Sequence, residues 1–305
     1  MTDNLRGILA ILISAAGFVT NDALVKVVTT ELPTGQIIFL RGLMATSIMG
    51  LLVSISGSWR PIGVLVGPTM ALRLLMAALS TLFVIAALRH LPLSTTSAIL
   101  QVSPLIVTAG SALLLGARVG WQRWTASAIG FFGVLLIIKP GSDGFVLQVW
   151  LALAALLASA SRDLVTRFID HSVPSILVTF ATSGVITVMG LALLPLETWV
   201  MPSPNALMLL TAAAVCLFFA YQFGVIAMRI GEISVVAPFR YAMIVMALIL
   251  SYGIWGHLPD AVSVLGIGLI CGAGLYLLVR ERGSMRQPRP APVPAVTTAT
   301  MRRTT

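Results

Sequence analysis

Apolar residues run through this chain in blocks too long for the core of a soluble domain: 7–28, 35–55, 67–88, 93–115 and 121–138, then 146–168, 174–194, 205–228, 233–255 and 261–279. A helix needs about 20 such residues to cross a bilayer, so each block predicts one membrane-spanning helix, ten in all. The breaks between blocks are short and leave no segment for a soluble domain. From Gly283 onward Pro, Arg, Thr and Ala prevail, a composition that buries no core, so residues 283–305 are expected to form a disordered cytoplasmic tail.

Composition agrees: of 305 residues, 58% are hydrophobic and only 10% charged, too few to cover a soluble surface. The net charge of +9 would suit nucleic acid, but its placement marks topology instead. With a cytoplasmic amino terminus, the inner side holds Arg6, Arg60, Arg73, Arg118, Arg123, Arg167, Arg229 and the arginines from Arg280 to Arg303, against Lys26, Arg89 and Lys139 outside. The positive-inside rule then places both termini in the cytoplasm of a multi-pass inner-membrane protein, with no nucleic-acid partner. All six Trp lie near predicted span ends, where an amphipathic ring prefers the interface. Cys216 and Cys271 sit inside apolar spans and read as core residues, and Asp22 and Lys26 make the first span a poor cleavable signal.

Slid on itself by about 140 residues, the chain aligns with itself. Asn21-Asp22 with Lys26 falls on Arg162-Asp163 with Arg167, Pro33 on Pro174, Ala87-Leu-Arg89 on Ala227-Met-Arg229, Ser94 on Ser234, Ser111 on Ser251 and Gly116 on Gly256. Five spans per half is an odd number, so the second half enters the membrane from the opposite side. The expected fold is an all-α integral membrane protein of ten transmembrane helices in two inverted-topology repeats, residues 1–140 and 146–282. Such repeats place a substrate site near the midplane where the halves meet.

Charge inside a bilayer is costly and marks function by default. Asp22 with Lys26, and Asp163 with Arg167, are four apart and share a helix face, the spacing of an ion pair. Lys26 and Arg167 are equally placed to snorkel to the interfaces. At about 1.5 Å of rise per residue, Asp22 and Arg41 share the outer part of the bilayer, and Asp163 and Arg240 the inner part, so two further pairs are expected. A cavity and a structural ion pair both account for Arg41, Asp163 and Arg240. Gln101 and Ser103 before Pro104, and Tyr241 after Pro238 and Arg240, occupy matched positions near mid-depth, where proline frees backbone carbonyls. Tyr221 and Gln222 add polarity at similar depth. The candidate cavity is therefore Asn21, Asp22, Arg41, Gln101, Ser103, Arg162, Asp163, Tyr221, Gln222, Arg240 and Tyr241. Gly268 and Gly272 form a small-xxx-small step for helix packing, within a monomer or in a homodimer. His90, His171 and His257 lie far apart, no Gly-rich phosphate loop is present, and no cofactor, metal or catalytic set is expected.

The segments Ala87-Leu-Arg89-His-Leu-Pro-Leu-Ser94 with Pro104, Asn21-Asp22 with Lys26, Trp121-Gln-Arg-Trp124 before a Gly-Phe-Phe-Gly helix ending at Lys139-Pro140, and Ala237-Pro238-Phe239-Arg240-Tyr241 resemble the EamA family of the drug/metabolite transporter superfamily. The likeness covers residues 5–282 and is nearest the branch holding bacterial S-adenosylmethionine uptake transporters. It implies secondary transport of a small organic metabolite by alternating access, with S-adenosylmethionine, riboflavin or amino acids as cargo. It further implies a cavity bounded mainly by spans 1, 3, 4, 6, 8 and 9, with the fifth and tenth outside. Many members carry Gly-Glu where this chain has Gly116-Ala117 and Gly256-His257, so no role of those glutamates carries over. The competing class is a non-transporting membrane scaffold whose charges form structural pairs only.

Overall fold

The computed structural model describes residues 3–59, 67–115, 121–139, 148–166, 168–169, 173–230 and 236–285, and among these every regular element is helical. The first half contributes α1 (Asp3–Val28), α2 (Thr34–Ile55), α3 (Pro68–His90), α4 (Leu93–Leu100), α5 (Ser103–Leu115) and α6 (Trp121–Ile138). The second contributes α7 (Val149–Thr166), α8 (Ser175–Leu193), α9 (Pro204–Ile230), α10 (Ala242–Trp255) and α11 (Ala261–Met285). Short 3-10 turns occupy Leu194–Leu196 and Ala237–Tyr241. Helix α11 runs on to Met285, past the boundary expected at Arg282; the rest of the expected tail lies outside the described residues.

Six described helices are long and apolar enough to cross a bilayer: α1, α2, α3, α7, α8 extended through Leu196, and α9 as far as Gly224. Shorter apolar helices cover Leu93–Val107, Trp124–Ile138, Phe239–Trp255 and Ala261–Tyr276, where the other four spans are expected. Proline explains two of these. Pro104 has no N–H to donate, and its ring disfavours a continuous α-helix through the turn before it. The Val102 amide accordingly bonds to the Ile99 carbonyl, three residues back instead of four, and the Leu105 and Ile106 amides both bond to the Val102 carbonyl. Pro238 stands in the 3-10 turn that precedes α10. Elsewhere proline starts helices, where its missing N–H costs nothing: Pro33 and Pro174, 141 positions apart, are the N-caps of α2 and α8.

The halves are held by packing against each other. Helix α1 lies on α9 and α3 on α7; α2 packs on α8, α6 on α11 and α4 on α10. Laying the first half on the second in order turns the α1–α9 contact into the α7–α3 contact and leaves the other three pairings mapped onto themselves. The Thr46 and Thr187 hydroxyls, 141 positions apart, hydrogen-bond at 3.0 Å between α2 and α8. Two principal apolar clusters result, one built on α1, α2, α3 and α9, the other on α4 to α7 with α10 and α11. The outer surface is itself apolar, with Ile55, Leu51, Val188 and Ile249 all more than half exposed, as a lipid-facing surface requires.

Helices α6 and α11 approach closely at Gly133 and Gly266. A methyl added at Gly133 would lie 2.7 Å from the Gly266 carbonyl oxygen, and the reverse addition 2.5 Å from that of Gly133. Gly268 and Gly272 instead face open space, so the expected small-xxx-small step is not what packs this helix within the chain. Two residues beyond Gly266 lie about 200° around the helix, on its far side. The pair is clasped at its end by Lys139, whose ammonium bonds to Asp260. Asp260 also accepts from the Ser263 hydroxyl at 2.6 Å and the Val262 amide, capping α11. Those bonds, the one to Lys139 first, hold its carboxyl down to about 2 from the usual 3.8.

Two measurements test this interface. Gly133→Leu or Gly266→Leu forces the backbones apart and is expected to lower the melting temperature of detergent-solubilised protein, whereas Gly268→Leu should leave it unchanged. Because the folded-state carboxyl of Asp260 titrates below its free value, its stabilisation is full above about 4 and lost as pH falls toward 2. Asp260→Asn should therefore cost the same at pH 7 and pH 5 and progressively less below pH 4; a decrement that grows with acid would contradict the clasp.

Candidate functional site

Between the halves lies a cavity of about 540 Å³, within the range of small-molecule sites. The two broken helices bring polar residues to its wall. Gln101 follows the end of α4, Ser103 and Pro104 begin α5, and Arg240 and Tyr241 close the 3-10 turn before α10. The Gln101 side-chain amide donates to the Arg240 carbonyl at 3.0 Å, tying one break to the other. The Ser103 hydroxyl is buried and has no hydrogen-bond partner among the described residues.

Asn21 and Asp22 from α1, Arg41 from α2, Arg162 and Asp163 from α7, and Tyr221 from α9 complete the expected set on this wall. Gln222 is not part of it: one residue beyond Tyr221 is about 100° around α9 and points elsewhere. The expected pairings are rearranged. Arg41 donates to the side-chain Oδ1 of Asn21 at 3.1 Å, and the Asn21 Nδ2 in turn donates to Asp22 at 2.9 Å, so a side-chain amide stands between acid and base. Asp163 does not pair with Arg240. Its partner is the adjacent Arg162, which donates two bonds of 3.0 and 2.8 Å to one carboxylate oxygen and a third to Ser159. Arg167 lies outside the described side chains.

Lys26 neither pairs with Asp22 nor snorkels. It is 9% exposed, and its ammonium donates to the Leu88 and Leu91 carbonyls at 2.6 Å each while standing 5.5 Å above the Trp255 ring. Arg89 returns the arrangement, donating to the carbonyls of Thr29 and Leu32. The ends of α1 and α3 thus cap each other's unpaired carbonyls, which bury better against a cation than against nothing. At this end of the molecule Glu197 also accepts from the Gly35 amide, Gln36 bonds to Val200, and Glu31 accepts from Ser203. Lys26 therefore belongs to a closing layer and not to the cavity.

Helices α2 and α8 line the cavity, contrary to the arrangement the family resemblance implies, and α11 reaches it at Gly274, against which the Tyr241 hydroxyl packs. Sequence reasoning missed Thr179, Thr182 and Ser183 of α8, Ser80 and Thr81 of α3, and Ser159 of α7. It also missed Arg73, which donates to Thr166 and Thr182 just beside the wall. Thr182 was within reach, because the offset of 141 makes it the counterpart of Arg41.

A second chamber of about 390 Å³ adjoins the first and shares Phe18, Tyr221, Arg240 and Met243 with it. Phe18 and Tyr221 meet edge to face at 5.2 Å. The rest of this chamber is mainly apolar: Ile11, Ala15, Ala220 and Gly224 line it with Ser175 and with Ser14, whose hydroxyl donates to the Ala220 carbonyl at 2.7 Å.

The model of the EamA-like transporter family matches twice, over residues 5–139 and 146–280. The S-adenosylmethionine uptake transporter of Rickettsia prowazekii is 27% identical over 195 residues, 64% of this chain and 66% of that protein. The riboflavin transporter of Vibrio cholerae is 30% identical over 221 residues, 72% and 74% of the two chains. The pseudopaline exporter of Pseudomonas aeruginosa is 26% identical over 279 residues, 91% and 97%. The alignment to the first of these thus spans about two thirds of that relative's length. A solved crystal structure, 21% identical, matches 91% of this chain and 98% of its own with a TM-score of 0.60, a likeness of fold.

The Lys26 contacts carry a direct test. Lys26→Met leaves two carbonyls without donors and should cost about 2 kcal/mol or more of stability, since bonds to a charged donor contribute roughly 1.5–3 kcal/mol each. Chemical or thermal unfolding in detergent reads this, and an unchanged midpoint would show the clasp to be without weight.

Proposed function

This chain belongs to the EamA-like transporter family, and on that premise we propose that it is a secondary transporter carrying a small polar or zwitterionic organic metabolite across the inner membrane by alternating access. The observation that carries the reading is the charged cavity shared between the two family repeats, in a molecule whose outer surface is apolar. Charges kept in such a place and facing a ligand-sized space serve a cargo better than they serve stability, because a buried ion pair gains little over well-packed apolar residues.

In this reading the chain crosses the membrane ten times, as two inverted five-helix repeats in residues 1–140 and 146–282, with both termini and the 283–305 tail in the cytoplasm. The cross-half pairing of α1 with α9 and α3 with α7 supports the inversion, as does the Thr46–Thr187 contact at the repeat offset. The layer around Lys26, Arg89, Glu197 and Glu31 closes the outer side. The cavity wall formed by Arg162, Asp163, Thr182 and Arg240 serves the inner approach. Asn21, Asp22, Arg41, Gln101, Ser103, Arg162, Asp163, Tyr221, Arg240 and Tyr241 form the cargo site, with Asp22 and Asp163 available to an amine or a coupling proton. S-adenosylmethionine, riboflavin and amino acids are the cargoes to try first, the first two because relatives bear those names.

Purified protein in liposomes, preloaded and assayed by counterflow with those compounds, tests the reading. At least one is expected to exchange, and Asp163→Asn should lower that exchange about tenfold or more while the melting temperature stays near wild type. If none exchanges and none binds, the chain is a scaffold and the transporter reading fails.

A further inference from the structure

The charges on the cavity wall do not balance locally: three guanidiniums, Arg41, Arg162 and Arg240, face two carboxylates, Asp22 and Asp163. Arg41 is tied through Asn21 to Asp22, and Arg162 grips Asp163 directly. The Arg240 side chain makes no hydrogen bond or ion pair among the described residues. Its backbone, by contrast, is held, because its carbonyl accepts from Gln101. A guanidinium with its donors unpaired, carried on an anchored main chain, is open to receive an anion. Its position adds a second constraint, since Arg240 stands on the boundary of the polar cavity and the apolar chamber, beside the Phe18–Tyr221 pair.

Resting on the transporter reading above, we propose that the cargo carries an anionic group, a carboxylate or phosphate, docked on Arg240, with a carbon-rich or aromatic portion in the adjoining apolar chamber. Polyamines and simple quaternary cations then fail as cargo, since nothing in them answers the uncompensated guanidinium. Among the compounds suggested by relatives, the inference separates those with an anion, such as S-adenosylmethionine through its carboxylate, from uncharged riboflavin. Arg41 and Arg162, already engaged, hold the two acids in place.

The test compares matched pairs on the full-length purified protein in detergent: S-adenosylmethionine with its decarboxylated form, riboflavin 5′-phosphate with riboflavin, and tryptophan with tryptamine. In at least one pair the anionic member is expected to bind about tenfold or more tightly. Arg240→Gln should erase that preference and Arg240→Lys retain part of it. Equal binding within every pair, a preference that survives in Arg240→Gln, or binding of no anionic member overturns the inference. If Arg240→Gln does not fold, the wild-type comparison and Arg240→Lys still decide. Counterflow of a neutral or purely cationic compound would overturn this inference and leave the transporter reading standing, whereas absence of all exchange and all binding sinks both.

Discussion

In a molecule whose outer surface is apolar, no polar group can turn to solvent through that surface, and this constraint orders the structure. Carbonyls released at helix ends and charges inside the bundle are therefore expected to be answered by protein or to face the cavity. The reciprocal capping of α1 and α3 by Arg89 and Lys26 is the clearest instance: each helix end has its carbonyls bonded by a cation from the other. A soluble protein would leave such ends to water. Here they fix the relative placement of two helices, and with them the wall of the cavity.

The same constraint explains why the polar breaks fall where they do. Pro104 and Pro238 stand at interruptions of two helices whose Gln101 and Tyr241 are counterparts at the repeat offset, and the interruptions meet on the cavity wall, where Gln101 donates to the Arg240 carbonyl. Elsewhere the helices pack through small residues, with backbones nearly touching at Gly133 and Gly266. Rigid contact at the periphery and polar discontinuity at the centre suit a body whose halves move about a fixed site.

Much of this was legible in the sequence. Block length announced the helices, six of them long and apolar enough to cross a bilayer, the offset of about 140 announced the repeat, and intramembrane charge announced part of the cavity wall. What the sequence could not show was which charge answers which. Spacing of four suggested that Asp22 would meet Lys26, but desolvated carbonyls at the end of α3, distant in sequence, outbid the acid for that ammonium. Depth suggested that Asp163 would meet Arg240, yet Arg162, its neighbour in sequence, reaches it first. Gln222 shared the right depth but the wrong face of α9. Depth and periodicity are one-dimensional, and partner choice depends on how helices rotate about their axes, which distant packing decides.

The halves are alike in plan but not in chemistry. One acid is linked to its arginine through Asn21 across two helices; the other is gripped by an arginine on its own helix, and Thr182 stands where Arg41 has its counterpart. A carrier with unlike ends still lets its passenger reach the same concentration ratio, because the free energy of a closed cycle depends only on what is dissolved on either side. The unlikeness shows instead in loading, so half-saturation measured from one face of the membrane will differ from that measured from the other.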